Sequence, residues 1–165
     1  MGLFKQIFSS YLRENKKKAR QKQAALSRVR IYMAQINERL NICSVVKNVR
    51  SIETQFNMIF INLDKIMEIE NQYPNIMSPT AGELKIQFVK TKDIRIRDYA
   101  IAEANLNIEK VKEISKQTSK INLLDKSILF LVEAREFIKS PEYDLDIDNK
   151  IAEIKIIIEQ VNTNK

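Results

Sequence analysis

The scarcity of glycine and proline is the feature that most constrains this chain. Its 165 residues include only two glycines and three prolines, and neither type occurs between Ala24 and Gln72. Because sandwiches and barrels need many tight turns, this scarcity argues strongly against an all-β fold and predicts long helices. An apolar content of 44% is enough to build a core. We therefore expect an all-α fold, an elongated helical hairpin or bundle.

Changes in residue pattern divide the chain into four segments. Residues 1–22 read as an N-terminal amphipathic helix followed by a basic segment. Residues 23–72 read as one long helix or a helix pair, and two prolines mark residues 73–80 as a loop. Residues 81–165 form a C-terminal helical region.

The apolar stripe of residues 23–72 changes face part-way along. Two sets of apolar residues each keep helical spacing. The second set lies on nearly the opposite side of the helix from the first. The two sets are Leu26, Val29, Met33, Ile36, Leu40 and Cys43, and then Ile42, Val45, Val49, Ile52, Phe56, Ile59, Leu63 and Ile66. Either the chain breaks or folds back within residues 41–48, or a straight helix meets different partners on each side of that point.

The residues after the loop are compatible with two predicted structures, a helix and a β-hairpin. Thr80 and Glu83 have capping-box spacing, which predicts a helix from about residue 81 to 118. Apolar residues also alternate with polar ones over residues 84–98, around Thr91-Lys92-Asp93, and this alternation is typical of a β-hairpin. We favour the helix.

Two further helices are predicted near the C-terminus. Residues 120–139 are apolar over most of the helical circumference, which indicates burial in a core or an interface. Ser140-Pro141 should end that helix. The last helix, about 146–162, has an apolar residue at every third or fourth position, as in a two-helix seam: Ile147, Ile151, Ile154, Ile158 and Val161.

The N-terminal segment carries the most specific functional pattern. Its first twelve residues place their apolar members within one 180° arc, and a basic run follows directly. The candidate membrane-binding or partner-binding residues are Leu3, Phe4, Ile7, Phe8, Tyr11 and Leu12 in the arc, and Lys16, Lys17, Lys18, Arg20 and Lys22 in the run. Apolar insertion together with attraction of cations is what an anionic membrane surface favours. The alternative is that this helix docks on the protein's own core or on a neighbouring copy of the chain.

The net positive charge is concentrated in the first third of the chain. Residues 1–50 hold 12 Lys and Arg against 2 Asp and Glu, whereas residues 51–100 hold 6 against 7 and residues 101–165 hold 10 against 12. This balance predicts an anionic partner at the N-terminal end. Nucleic acid is the alternative partner, although no helix-turn-helix, zinc-finger or RNA-recognition signature occurs.

Several chemistries are excluded or disfavoured by residue content. The chain has no histidine and one cysteine, which removes Ser-His-Asp and Cys-His catalysis and His-ligated metal sites. Cys43 reads as a small core residue. The aspartates at 144, 146 and 148 lack the glycine and glutamate of a calcium loop. We expect Arg95 and Arg97 to be neutralised by the adjacent Asp93 and Asp98. We predict no enzyme activity and no cofactor.

A family resemblance covers about the first 45 residues. Met1-Gly2-Leu3-Phe4, the amphipathic start, the basic first helix and the acidic-leaning remainder resemble the ESCRT-III and PspA group of membrane-remodelling proteins. The resemblance implies an all-helical hairpin with an N-terminal membrane anchor, and polymerisation. By that resemblance, Leu3, Phe4, Ile7 and Phe8 would insert into lipid. The Pro74–Pro79 loop departs from the continuous helix of that group.

The sequence therefore predicts a non-enzymatic, helical protein that binds a membrane surface and assembles with itself or with a helical partner. Its alternatives are a nucleic-acid-binding or virion-type scaffold and a subunit of a larger complex. No apolar run approaches the length of about 20 residues that spans a bilayer. We therefore expect a cytoplasmic location, peripheral at a membrane.

Overall fold

The computed structural model describes the backbone of residues 2–163 and the side chains of residues 12–163. The described part consists of five helices and contains no strand, so the all-α prediction is confirmed. The helices are α1 (Gly2–Val45), α2 (Val49–Gln72), α3 (Ala81–Glu113), α4 (Gln117–Arg135) and α5 (Pro141–Thr163). α1 passes through the predicted segment boundary at residue 22 without interruption.

The chain breaks at residues 46–48, within the range where the apolar stripe changes face. Asn48 caps the new helix, since its Oδ1 accepts a 3.0 Å hydrogen bond from the Ser51 amide. Asparagine is among the preferred residues at such a position because its side chain satisfies an amide that the helix leaves without a partner. The break resolves the alternatives that the sequence left open: α1 and α2 are separate helices.

Contacts divide the chain into two units, of which the first comprises Met1–Asn41 and Asn57–Lys85. Lys65 Nζ lies 5.5 Å from the centre of the Tyr32 ring, which places α1 and α2 side by side and antiparallel here. The core of this unit is built from apolar residues at helical spacing. Its buried members are Ala25, Val29, Ile36, Ile59, Leu63, Ile66, Ile69, Ile76 and Ala81.

The start of α3 in the first unit is fixed by two sets of hydrogen bonds. Glu83 Oε2 accepts from the Thr80 amide at 2.8 Å, and Thr80 Oγ1 accepts from the Glu83 amide at 3.3 Å, which confirms the capping box. The Thr80 amide and the Thr80 hydroxyl both donate to the Glu83 carboxylate, and these two bonds lower the pKa of Glu83. The Glu70 carboxylate also accepts from the Ala81 amide at 3.2 Å, so the end of α2 holds the start of α3.

The second unit comprises Ile42–Phe56 and Ile86–Lys165. Side-chain contacts show how its helices pair: Asn107 Nδ2 donates to Ser127 Oγ between α3 and α4, and Gln117 Nε2 donates to the Val161 carbonyl between α4 and α5. Neighbouring helices are thus antiparallel. The buried apolar residues are Cys43, Val49, Ile52, Phe56, Ile96, Ala100, Ala104, Val111, Leu124, Leu131, Ala134, Ile138, Tyr143, Ile147 and Ile154.

The β-hairpin reading of residues 84–98 is wrong, because α3 runs through the whole segment. The helical core stripe was hard to see because two of its positions are charged: Lys92 and Asp93 are 2% and 0% exposed. Ile86, which contributed to the apparent alternation, is 74% exposed. Within residues 84–98, apolar residues therefore did not by themselves mark the buried face of this helix.

The boundaries of the last three helices differ from the predicted ones by several residues. α3 ends at Glu113 and not near 118, and α4 spans Gln117–Arg135 and not 120–139. Pro141, expected to close α4, is instead the first residue of α5. Proline suits a first helical position because it has no amide hydrogen to leave unsatisfied and its φ is preset.

The join between α4 and α5 is held by the buried residues of α3. Asp93 Oδ2 accepts hydrogen bonds from the Lys139 amide at 3.1 Å and from the Ser140 amide at 3.0 Å. Lys92 Nζ donates to the Phe137 carbonyl at 2.8 Å and lies 3.0 Å from Glu53 Oε2 of α2. These charges are therefore paired with backbone groups and with each other, as burial requires.

Candidate functional site

The N-terminal part of α1 is the most exposed helical stretch in the described chain. Every side chain from Leu12 to Ala24 is exposed, and Ala25 is the first buried residue of α1. The contact between Tyr32 and Lys65 explains why. In an antiparallel pair with that register, residue 25 lies level with Gln72, the last residue of α2, so the preceding turns of α1 extend past the end of their partner.

Six cations and one acid lie on this extension. The cations are Arg13, Lys16, Lys17, Lys18, Arg20 and Lys22, and the acid is Glu14. Lys18 Nζ is 2.9 Å from Glu14 Oε1 in an i,i+4 pair, and the hydrogen bond from Lys18 lowers the pKa of Glu14. The only carboxylate of the extension is therefore engaged by Lys18.

Four of the cations share one side of the helix. Arg13, Lys16, Lys17 and Arg20, which we call the cation face, line a single open depression together with Gln21 and Ala24. Among the described side chains, no carboxylate pairs with any of these four. Because a helix rises about 1.5 Å per residue, the cation face extends about 10 Å along α1.

The apolar half of the predicted site lies outside the described side chains. This applies to Leu3, Phe4, Ile7, Phe8 and Tyr11. Leu12, the last member of the predicted arc, is 45% exposed. The five predicted cations Lys16, Lys17, Lys18, Arg20 and Lys22 are all exposed on one continuous helix, and Arg13 joins them although it was absent from the predicted set.

The arginines of α3 take structural positions in the second unit. Arg95 donates to the carbonyls of Cys43 at 3.3 Å and Ser44 at 2.8 Å, at the end of α1. Tyr99 Oη donates to the Lys47 carbonyl at 2.8 Å. The bonds from Arg95 satisfy carbonyls that α1 leaves without helical partners at its C-terminus, and the bond from Tyr99 binds the connection between α1 and α2.

Arg97 is neutralised by two aspartates, one of them expected. It pairs with Asp98 at 2.7 Å and with Asp146 of α5 at 3.0 Å, and its guanidinium carbon lies 4.7 Å from the centre of the Tyr143 ring. The hydrogen bond to Asp98 is the main reason that the pKa of Arg97 is raised. Asp93, the other expected partner of these arginines, instead caps α5.

No metal-binding arrangement exists among the described residues. No group of three or more acidic or cysteine side chains is placed to hold an ion there. The acidic residues at the start of α5 pair with arginines instead: Arg135 Nη1 is 2.9 Å from Asp148 Oδ1. Cys43 is 4% exposed, and burial raises the pKa of its thiol, as expected for a core residue.

Sequence reasoning missed the buried charges of α3. Lys92 and Asp93 sit in a segment rich in charged residues, where any one of them reads as surface. A usable signal was their spacing to Ile96 and Ala100, which completes one helical face at positions three and four apart. This spacing identifies the buried face only if charged residues are accepted as members of that face.

Within the described part of the chain, no helix combines the length and hydrophobicity that crossing a bilayer requires. No protein-family model, curated protein or solved structure matches the chain.

Proposed function

We propose that the protein binds anionic membrane surfaces peripherally through residues 3–22 and assembles through its remaining helices. The observation that carries the proposal is the extension of α1, where thirteen consecutive side chains, Leu12 to Ala24, are exposed and six of them are cationic. A helix that extends past its partner leaves these side chains accessible to a binding surface.

Electrostatic attraction supplies part of the binding free energy. A basic residue near an anionic leaflet contributes about 1 kcal/mol, and six cations on the extension are opposed by one acid, Glu14. Because salt screens exposed charges over about 8 Å at physiological ionic strength, binding should weaken as salt is raised. Insertion of the apolar residues predicted within positions 3–12 would add a contribution that salt does not screen.

Co-sedimentation with vesicles tests this function. We expect the wild-type protein to pellet with vesicles of phosphatidylcholine and phosphatidylserine, and not with phosphatidylcholine alone. The Phe4→Glu/Phe8→Glu variant should lose most of its pelleting, because two carboxylates would enter the apolar arc.

The matched control adds the same charge elsewhere. Ile86 and Leu106 are 74% and 49% exposed on α3, so Ile86→Glu/Leu106→Glu should pellet like the wild type. Equal pelleting of the wild type and Phe4→Glu/Phe8→Glu with both lipid compositions would contradict membrane binding by this segment.

Exposed apolar residues of α5 support the self-assembly half of the proposal. Leu145 and Ile156 are 60% and 55% exposed, and with Asn149 and Ala152 they follow a 4-3-4 spacing along one side of the helix. A stripe with this spacing is what a second helix packs against.

Sedimentation velocity over a range of protein concentrations measures this assembly. The wild type should form oligomers, and Leu145→Glu/Ile156→Glu should shift the distribution to the monomer because two charges would be buried without partners. A wild-type protein that stays monomeric at all concentrations would refute self-assembly.

Nucleic acid is the second candidate partner for the same cations. Tyr32 is the nearest described aromatic residue after Leu12, and it is half-buried with Lys65 over its ring. It is therefore poorly placed to stack on a base. Steep, salt-dependent binding to duplex or single-stranded oligonucleotides, without binding to anionic vesicles, would favour this function over the membrane.

A further inference from the structure

The exposed apolar residues of α5 lie directly opposite the side that it buries. Counting about 100° per residue from the buried Ile147, the buried Tyr143 and Ile154 fall within about 40° of it. Four exposed residues, which we call the α5 stripe, fall between about 140° and 200° on the same scale: Leu145, Asn149, Ala152 and Ile156. The second unit therefore leaves this side of α5 open to a partner.

The α5 stripe is symmetric about its own midpoint. Because its spacing is 4-3-4, reversing the direction of the helix exchanges Leu145 with Ile156 and Asn149 with Ala152. A second α5 that packs in the antiparallel direction thus sets leucine against isoleucine at both ends of the contact. An interface of this kind uses the same patch on both copies, as a two-fold dimer requires. The small Ala152 side chain beside Asn149 allows the helices to approach closely.

Charges on one flank of the stripe favour the antiparallel direction. This direction brings Lys155 to within about 3 Å, along the helix axis, of the level of Asp148 of the second copy, and the two-fold axis makes the contact twice. Lys155 is exposed, and Asp148 is 45% exposed although it pairs with Arg135. A parallel pair would place Lys155 beside the neutral Gln160 and would gain no such contact.

The other flank carries acids that already have partners within each copy. There the antiparallel direction brings Asp146 near Glu153 of the second copy. Asp146 pairs with Arg97, and Glu153 pairs with Lys150. These charges are largely offset before the copies meet, so this flank opposes association only weakly.

A similar stripe on α4 is not complementary to itself. Leu129 and Val132 are 69% and 44% exposed, and the exposed Asp125 and Glu136 extend them with the same 4-3-4 spacing. An antiparallel second copy would set Asp125 against Glu136 at both ends, and like charges that face each other oppose association. The α5 stripe, and not the α4 stripe, therefore fits a second copy of the chain.

We propose that two copies of the chain associate through an antiparallel pair of α5 helices, with the α5 stripe of each copy as the interface. This inference rests on the self-assembly half of the proposed function, to which it assigns a site, a direction and a symmetry. Because a two-fold interface closes on itself, α5 alone produces a dimer and not a filament.

Disulfide cross-linking of the full chain measures the direction of the pair. The variants are Leu145→Cys and Ile156→Cys, each oxidised alone and as an equal mixture in which one protein carries a tag that changes its size on a gel. In the antiparallel pair the two residues at position 145 lie about 16 Å apart along the helix axis, beyond the Cα separation of about 7 Å that a disulfide can bridge. Leu129→Cys, an exposed position on α4, controls for random collision, and the wild type controls for the buried Cys43.

We expect the mixture to form at least about tenfold more disulfide dimer than either variant alone, because only residues 145 and 156 meet. Leu129→Cys should cross-link no more than the wild type. In sedimentation velocity, Lys155→Glu should raise the dissociation constant about fivefold, since two attractive contacts become repulsive. Lys126→Glu makes the same change at an exposed position of α4 and should have no effect. Circular dichroism should show equal helix content in all variants.

Several results would overturn the pairing. Leu145→Cys that cross-links with itself as well as in the mixture would show a parallel pair. Equal cross-linking of every cysteine variant, Leu129→Cys included, would show random collision. Oligomers of the wild type without cross-linking in any combination would place the interface elsewhere and leave the proposed self-assembly standing. A wild-type protein that stays monomeric refutes self-assembly, and the α5 pair with it.

Discussion

Replacing Lys92 by alanine is expected to lower the free energy of unfolding by about 3–5 kcal/mol. The side chain of Lys92 is 2% exposed, and its ammonium group lies 3.0 Å from Glu53 Oε2 and 3.8 Å from Asp93 Oδ1. It also donates to the Phe137 carbonyl at 2.8 Å. Loss of the ammonium group would leave a half-buried carboxylate and a backbone carbonyl without this partner. The free-energy cost of leaving such groups unsatisfied exceeds the net stability that the intact interaction contributes.

The chain offers a matched control for this substitution on the same helix. Lys85 also pairs with an aspartate of α2, at 2.6 Å from Asp64 Oδ1, but its side chain is 39% exposed. Exposed pairs contribute about 0–1 kcal/mol, so Lys85→Ala should change stability little. Urea unfolding of both variants measures the difference, and equal losses would mean that burial does not decide the value of the Lys92 contacts.

Replacing Leu131 by alanine is the second change with a large expected effect. Leu131 is 0% exposed on α4, and truncation of a buried leucine costs about 3–5 kcal/mol, because transfer free energy is lost and a cavity remains. Proteins of this size have a total stability of about 5–15 kcal/mol. The variant should therefore unfold at clearly lower urea concentration with an unchanged slope.

Leu129, two residues earlier on α4, provides the comparison. It is 69% exposed, so Leu129→Ala removes the same atoms from the same helix without creating a cavity. Surface substitutions of this kind usually stay within about 0.5 kcal/mol. A loss for Leu129→Ala as large as that for Leu131→Ala would place residue 129 in an interface, such as one between copies of the chain.

Much of the fold follows from local patterns in the sequence. The scarcity of glycine and proline indicated the helical class, and the change of face in the apolar stripe limited a possible break to residues 41–48 without deciding between a break and a straight helix. The capping box at Thr80 and Glu83 marked the start of α3. Each of these signals acts over a few residues, where spacing alone determines which groups can meet.

Features that depend on distant contacts could not be read in the same way. The core of α3 includes Lys92 and Asp93, whose burial is stabilised by Glu53 and by backbone groups of residues 137–140. A local sequence pattern cannot indicate partners that lie about 40 residues away in the chain. The same limit applies to α4, whose apolar circumference predicted burial in a core or in an interface. Leu129 lies outside the core of the chain, and burial of this residue in an interface stays a prediction.

The candidate site was predictable in composition but not in direction. The basic run at residues 16–22 is plain in the sequence, whereas the grouping of four cations on one side depends on α1 being one continuous helix there. Arg13 joined the cation face for the same reason, because helical rotation places it beside Lys16, Lys17 and Arg20.

Arg95 and Tyr99 of α3 donate to the carbonyls of residues 43, 44 and 47, on either side of the residue where α1 ends. The connection between α1 and α2 is therefore bound by side chains that lie about 50 residues further along the chain. Substitution of Arg95 or Tyr99 is thus expected to loosen a turn to which neither residue belongs.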